Sequence, residues 1–190
     1  MPSRPTNFSD CQVYVQTDED DAAAIGRCLG GDTGAFEALV ARHERVLFRV
    51  ALRMLGDAED ARDATQTAFV KAFEQLHRYD PGFRFFSWIY RILANECLNR
   101  RRDRRPMSVM TDIATAHGPF EALEQRERQR LVQAALLDLT PAYREVVVLR
   151  HFSELSYEEM AVALDIPVKT VKSRLYTARQ QLGARLFGWT

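Results

Sequence analysis

Between Leu155 and Leu182 the chain reads LSYEEMAVALDIPVKTVKSRLYTARQQL, a stretch that fits two short helices with a tight turn between them. Ser156 is followed three residues later by Glu159. The hydroxyl can accept from the Glu159 amide while the carboxylate reaches back to the Ser156 amide, so a helix begins near Ser156. Met160, Ala161 and Leu164 line one face, and small Ala161 lets another helix cross closely. Asp165, Ile166 and Pro167 then break the pattern. Proline lacks an amide hydrogen and fixes φ, so it suits a turn or the first position of the next helix. That helix starts near Val168 with Val171, Leu175, Ala178 and Leu182 as its buried stripe. Lys169, Thr170, Lys172, Ser173, Tyr176 and Thr177 are left facing outward. A helix pair of this form can set its second member in a DNA groove.

Charge supports that use. From Val168 to Thr190 the chain carries Lys169, Lys172, Arg174, Arg179 and Arg185 with no acid, a local charge of +5 in a chain of formal net charge zero. Such side chains displace counterions from phosphates, and the resulting affinity falls steeply with salt. A charge run by itself more often marks a solvated helix face. The combination of cap, small residue and proline turn is what favours DNA.

At 190 residues, 46% of them hydrophobic, the chain can build one core or two small ones. It shows no apolar run of membrane-spanning length, and its first residues lack the apolar centre of a secretory signal, so a cytoplasmic protein with no membrane insertion is expected. Cys11, Cys28 and Cys97 are odd in number and far apart. Neither they nor the isolated His43, His77, His117 and His151 have metal-ligand spacing, so no metal or cofactor is expected.

Residues 1–21 have mixed composition and are expected to form a flexible extension, its acids Asp18 to Asp21 favouring the start of an alanine-rich helix. Gly30 and Gly31 stop that helix, and Asp32 can cap the next, whose apolar residues run from Phe36 to Leu55 before Gly56. Asp57 caps a third helix through Leu76. Its inside face holds Ala61, Ala64, Ala68, Phe69, Ala72 and Phe73, and its outside face Asp60, Asp63, Gln66, Thr67, Lys71 and Glu74. After the Pro81-Gly82 turn comes Phe83-Arg84-Phe85-Phe86-Ser87-Trp88, with Ser87 as the expected cap of a fourth helix. There Ile89, Ile92, Leu93 and Cys97 repeat at core spacing, while Arg91, Asn95, Asn99 and Arg102 share another face. Asn can bond a base edge at two points, Arg grips guanine or phosphate, and aromatic rings stack on unpaired bases. The simpler use of the aromatics is core, and this is expected of Phe85 and Trp88.

Arg100, Arg101, Arg102, Arg104 and Arg105 against Asp103 close the segment at +4. Residues 106–119 lack a sustained period and read as a linker. Helices resume from Phe120 to Leu139, and Thr140 caps another that begins at Pro141. With no strand alternation, the expected fold is all-α: two small helical domains, 22–105 and 120–190.

Two segments carry a family resemblance. LRMLGDAEDARDATQTAFVKAFEQLHRYDPGFRFFSWIYRILANECLNR resembles region two, and LTPAYREVVVLRHFSELSYEEMAVALDIPVKTVKSRLYTARQQL region four, of the extracytoplasmic-function sigma factors of bacterial RNA polymerase. In this order, joined by a short linker, they are specific. The resemblance implies that Asp60, Asp63, Gln66, Thr67, Phe69, Val70 and Phe73 hold the clamp coiled coil of the polymerase core, its beta and beta-prime subunits. It implies that Tyr79, Phe83, Arg84, Phe86, Trp88, Arg91, Asn95, Asn99 and Arg102 open and read the minus-ten element of promoter DNA. Ser156, Lys169, Thr170, Lys172, Ser173, Arg174, Tyr176, Thr177 and Arg179 would meet the minus-thirty-five element. Thr177 and Lys169 stand where many members have arginine and glycine. An anti-sigma factor that holds the protein inactive is implied as a further partner, and catalysis is not. A helix-turn-helix regulator that acts without polymerase would leave the aromatic loop unused. A helical adaptor would leave the basic patches as mere solubilising surface.

Overall fold

A computed structural model describes residues 9–103, 119–153 and 155–186, with side chains for 19–102, 127–153 and 155–186. Among these residues there are eight α-helices and no strands. The first four are α1 (Ser9–Leu29), α2 (Phe36–Leu55), α3 (Ala58–Glu74) and α4 (Phe85–Asp103). The second four are α5 (Pro119–Asp138), α6 (Pro141–Phe152), α7 (Tyr157–Leu164) and α8 (Val168–Leu186). The linker read at 106–119 lies outside the described residues except for Pro119, which opens α5.

In the first bundle α3 lies between α2 and α4. Its inner face is Ala61, Ala64, Ala68 and Ala72, all fully buried, so both neighbours come close. Leu39, Leu47, Met54, Ile89 and Leu93 fill the space around it, each burial stabilising by roughly 1.5–3 kcal/mol. Asp57 caps α3 by accepting from the Asp60 amide at 2.9 Å. In the second bundle Val146, Val148, Leu149, Met160, Val171, Leu175 and Ala178 make the centre.

The buried residues of the two bundles join in one continuous core. The contact runs through the end of α2, where Gly56 ends the helix at φ 79°. The left-handed backbone is what calls for glycine there; a Cβ would also stand 2.6 Å from Leu137 Cδ1 of α5, a side-chain end that would have to shift. Beside it the Gln133 amide donates to the Leu52 carbonyl, Arg53 donates to Gln133 Oε1, and the Arg53 guanidinium lies 4.8 Å from the Phe152 ring centre.

Several local expectations need correcting. Among the described residues α1 begins at Ser9, so Asp18 to Asp21 sit inside it rather than ahead of it. Asp21 is buried because it accepts from Arg42 and meets His43 Nε2 at 2.7 Å, fastening α1 to α2. Asp32 caps nothing with its side chain; Arg27 holds it instead, and this keeps its carboxyl below the usual range. Thr140 occupies the cap position of α6 without a side-chain bond, and its carbonyl accepts from the Tyr143 and Arg144 amides at 3.1 and 2.9 Å. Ser87 is not a cap: α4 begins two residues earlier, and Ser87 is buried within its first turn. In α7 Ala163 is the fully buried small residue, while half-buried Ala161 packs against the edge of the core.

Candidate nucleic-acid and polymerase interfaces

The helix pair of the second bundle forms as its sequence dictates. The Ser156 hydroxyl accepts from the Glu159 amide at 3.1 Å and the Glu159 carboxylate from the Ser156 amide at 2.7 Å, a complete capping box. Asp165 ends α7 at φ 54°, and Pro167 precedes the first residue of α8. Val171, Leu175 and Ala178 are buried, which turns Lys169, Lys172, Ser173, Tyr176 and Arg179 to solvent. Tyr176 is 68% exposed, and its hydroxyl accepts from Gln180, so the ring is held out along the helix. Lys172 Nζ stands 5.5 Å from the Tyr157 ring centre, an anchor from α7. Thr170, Arg174 and Thr177 are half-buried at the edge of this face, and half-buried Ser156 is occupied by its cap.

In the first bundle the stripe on α4 also forms. Arg91, Asn95, Asn99 and Arg102 are all exposed along one side, while Ile89, Leu93 and Cys97 are buried on the other. Burial first of all pushes the Cys97 thiol up to about 12, so it remains a neutral core residue. The loop ahead of α4 is locally ordered: the Gly82 amide donates to Asp80 Oδ1 at 2.8 Å, and the Tyr79 hydroxyl to the Phe83 carbonyl at 2.5 Å. Tyr79 meets Phe85 and Trp88 edge-on at 5.9 and 5.4 Å. Phe83 is exposed, Arg84 and Trp88 half-buried.

Phe86 departs from the minus-ten set. It is 8% exposed, packed 6.0 Å from the His43 ring and 6.5 Å from Tyr90, and so is a core residue that shapes the loop from below. His43, held by Asp21, also lies 5.4 Å from Phe85. A chain of contacts thus runs from α1 to the base of the aromatic loop, which sequence spacing did not signal.

On α3 the polar face meets its expectation in part. Asp63, Gln66, Val70 and Phe73 are exposed, Asp60 and Thr67 half-buried. Phe69 departs: it is buried, edge-on to Phe36 at 6.4 Å, as its place on the alanine face requires. Phe73 is 42% exposed with its ring 5.1 Å from Phe36, which gives this surface an apolar lip. Arg100 of α4 reaches Asp63 and Asp60 at 3.4 and 3.8 Å, and Lys71 pairs with Glu96, so the face is braced against α4.

Two features were missed. Arg144 of α6 is fully buried, and its guanidinium donates to the carbonyls of Leu136 (2.7 Å), Leu139 (3.0 Å) and Leu137 on one bundle and Met54 (2.5 Å) on the other. Burial above all lowers its pKa to about 10, which still leaves it charged at neutral pH. Its position four residues before buried Val148 was the available signal. The second is a pair of cross-bundle bridges, Arg84 to Glu159 at 2.5 Å and Arg91 to Asp165 at 3.0 Å. Nothing in local sequence links residues so far apart.

Two exposed polar faces thus stand on separate bundles, one preceded by an aromatic loop, and the segments that carry them are similar to known proteins. The family model for Sigma-70 region 2 matches residues 39–106 and that for Sigma-70, region 4, residues 129–182. The ECF RNA polymerase sigma factor SigW of Bacillus subtilis (strain 168) is 31% identical over 82% of this chain and 91% of its own length. The chain belongs to the ECF sigma factors of the sigma-70 family. A second relative of this sigma factor, the ECF RNA polymerase sigma factor SigE of Mycolicibacterium smegmatis, is 33% identical over 92% of this chain and 71% of its own. Among solved structures, CnrH in complex with the cytosolic domain of CnrY is similar with a TM-score of 0.72. The identity is 30%, over 90% of this chain and 99% of CnrH. Among the described residues of the sigma factor, no helix is long and apolar enough to cross a membrane.

Proposed function

We propose that this sigma factor binds core RNA polymerase through α3 and carries it to promoters, with α4 and its loop at the minus-ten element and α8 at the minus-thirty-five element. The observation that carries the reading is the pair of exposed faces. Arg91, Asn95, Asn99 and Arg102 stand on α4; Lys169, Lys172, Ser173, Tyr176 and Arg179 stand on α8. The first offers amides and guanidinium groups for base edges beside an exposed Phe83, the means of holding an unpaired strand. The second offers cations and a projecting tyrosine on a helix of major-groove length. Opening a duplex costs a few kcal/mol per extruded base, which aromatic and polar contacts to the freed strand offset.

The exposed Gln66, Val70 and Phe73 give the polymerase coiled coil an apolar strip within a polar face. The protein directs the polymerase and leaves catalysis to it, so its place of work is the cytoplasm. CnrH, its structural neighbour, was solved with the cytosolic domain of CnrY, which supports a protein partner that holds this factor inactive. Purified protein and core polymerase, given a library of genomic fragments, are expected to start transcripts at a defined set of sites. Failure to bind core overturns the proposal, and tight operator binding by the free chain without polymerase would favour a conventional regulator.

A further inference from the structure

The two bundles are packed so that the aromatic loop of the first faces the helix-turn-helix of the second. Between them lies a cleft of about 560 Å³, with Phe83 and Trp88 on one side and Val162, Ile166 and Pro167 on the other. Two ion pairs join the bundles here, one of them between residues that line the cleft. Glu159 of α7 takes Arg84, with both side chains about one quarter exposed, and Asp165 at the end of α7 takes Arg91. Both arginines belong to the set that would touch promoter DNA. Each therefore carries, in this arrangement, an anionic oxygen where a phosphate would sit.

We infer that Glu159 and Asp165 are internal stand-ins for DNA phosphates, which hold the minus-ten loop shut against the helix-turn-helix until polymerase or promoter DNA separates the bundles. The inference rests on the reading of α4 given above. Asp165 supplies an independent argument. It is the one non-glycine residue with positive φ among the described residues, at 54°, and it ends a helix. Glycine or asparagine suits that place better, and a carboxylate at a helix C-terminus is opposed by the helix dipole. The bond to Arg91 gives the acid a purpose. Glu159 needs no charge for its cap, because glutamine serves a capping box as well. Its charge serves Arg84, whose hydrogen bond, with that of Ser156, outweighs burial and holds the carboxyl below its ordinary value.

The masking is partial. Lys169, Lys172, Ser173 and Tyr176 on α8 stay exposed, as do Asn95 and Asn99 on α4. The free chain therefore keeps its affinity for duplex DNA through α8 and lacks the loop's grip on a single strand.

The test compares the full wild-type chain with Glu159→Gln/Asp165→Asn, in which cap and left-handed backbone are preserved. Glu19→Gln/Glu127→Gln, at two exposed acids outside the lining of the cleft, matches its change in charge. The probe is a short fluorescent oligothymidylate, read by anisotropy without polymerase. Loss of each ion pair is expected to tighten binding about threefold, about tenfold for both, relative to the charge-matched control. Binding to random duplex DNA should change no more than in that control. Equal oligothymidylate affinity in the two double variants overturns the latch. A second measurement is independent of DNA: with Trp189→Phe as background, acrylamide quenching of Trp88 should rise in Glu159→Gln/Asp165→Asn. Unchanged quenching overturns the latch too. Raised quenching with no strand binding in any form, even with core polymerase added, would keep the closure and overturn the minus-ten reading of α4.

Discussion

Replacing Arg144 by methionine tests how the bundles are fastened. The substitution keeps the volume of the side chain's stem and removes all the donors that serve four carbonyls, those of Met54, Leu136, Leu137 and Leu139. Leaving a buried acceptor unpaired costs about 1–3 kcal/mol. These carbonyls lie at the ends of α2 and α5, where water can reach some once the contact loosens, so about 1 kcal/mol each, or roughly 4 kcal/mol, is the gross loss. Relief from holding a desolvated cation offsets part of this; that cost is visible in the Arg144 pKa, lowered to about 10 chiefly by burial. The net expectation is a loss of about 2–3 kcal/mol in urea denaturation, or a melting temperature lower by about 4–12 °C for a chain of this size. Arg144→Lys, with fewer donors in no fixed fork, should fall between. A loss below about 1 kcal/mol for Arg144→Met would refute the clasp and leave the apolar contact around Gly56 and Leu137 as the fastening.

Two further outcomes follow from single side chains. Lys172→Ala, which removes an exposed cation braced on Tyr157, should weaken binding to all duplexes and lower the slope of log affinity against log salt by about 1; an unchanged slope would mean that Lys172 does not meet a phosphate. Glu145 has its carboxyl raised above the ordinary 4.5, by burial first, with Arg174, Arg144 and Arg101 opposing. The folded state then binds the proton more tightly than the unfolded state, so this group's share of stability falls as pH rises from about 4.5 through the raised folded value. The stability of Glu145→Gln relative to wild type should grow across that window and level off above it, and a flat difference would contradict the burial of a charge there.

What the sequence made legible is what short-range chemistry controls. The limits of α7 and the start of α8 followed from Ser156, Glu159 and Pro167, because caps and proline act within a few residues. The buried stripe of α8 and the exposed stripe of α4 followed from period alone. Legibility failed where a distant residue decides. Phe86 looked like its neighbour Phe83, and only His43, fixed by Asp21 on α1, makes it core. Phe69 stood on the inside face of α3 by period and was offered to the polymerase by the resemblance alone; Phe36 covers it. Ser87 had a cap residue's chemistry, but the Arg84 carbonyl already accepts its amide at 3.0 Å, so the helix is under way before it. Arg144, Arg84 and Arg91 find partners on the opposite bundle, and no local pattern encodes a contact across some 75 residues or more.

If α4 and α8 read two separate promoter elements for one polymerase, their substitutions must act on separate parts of the promoter. Selection of promoters from a randomised library by the reconstituted holoenzyme tests this most directly, with wild type, Asn95→Ala and Tyr176→Ala compared. The wild type is expected to select two blocks of sequence, the downstream block relaxed by Asn95→Ala and the upstream block by Tyr176→Ala, each leaving the other intact. A single block, or a change at the same block from both substitutions, would contradict that reading.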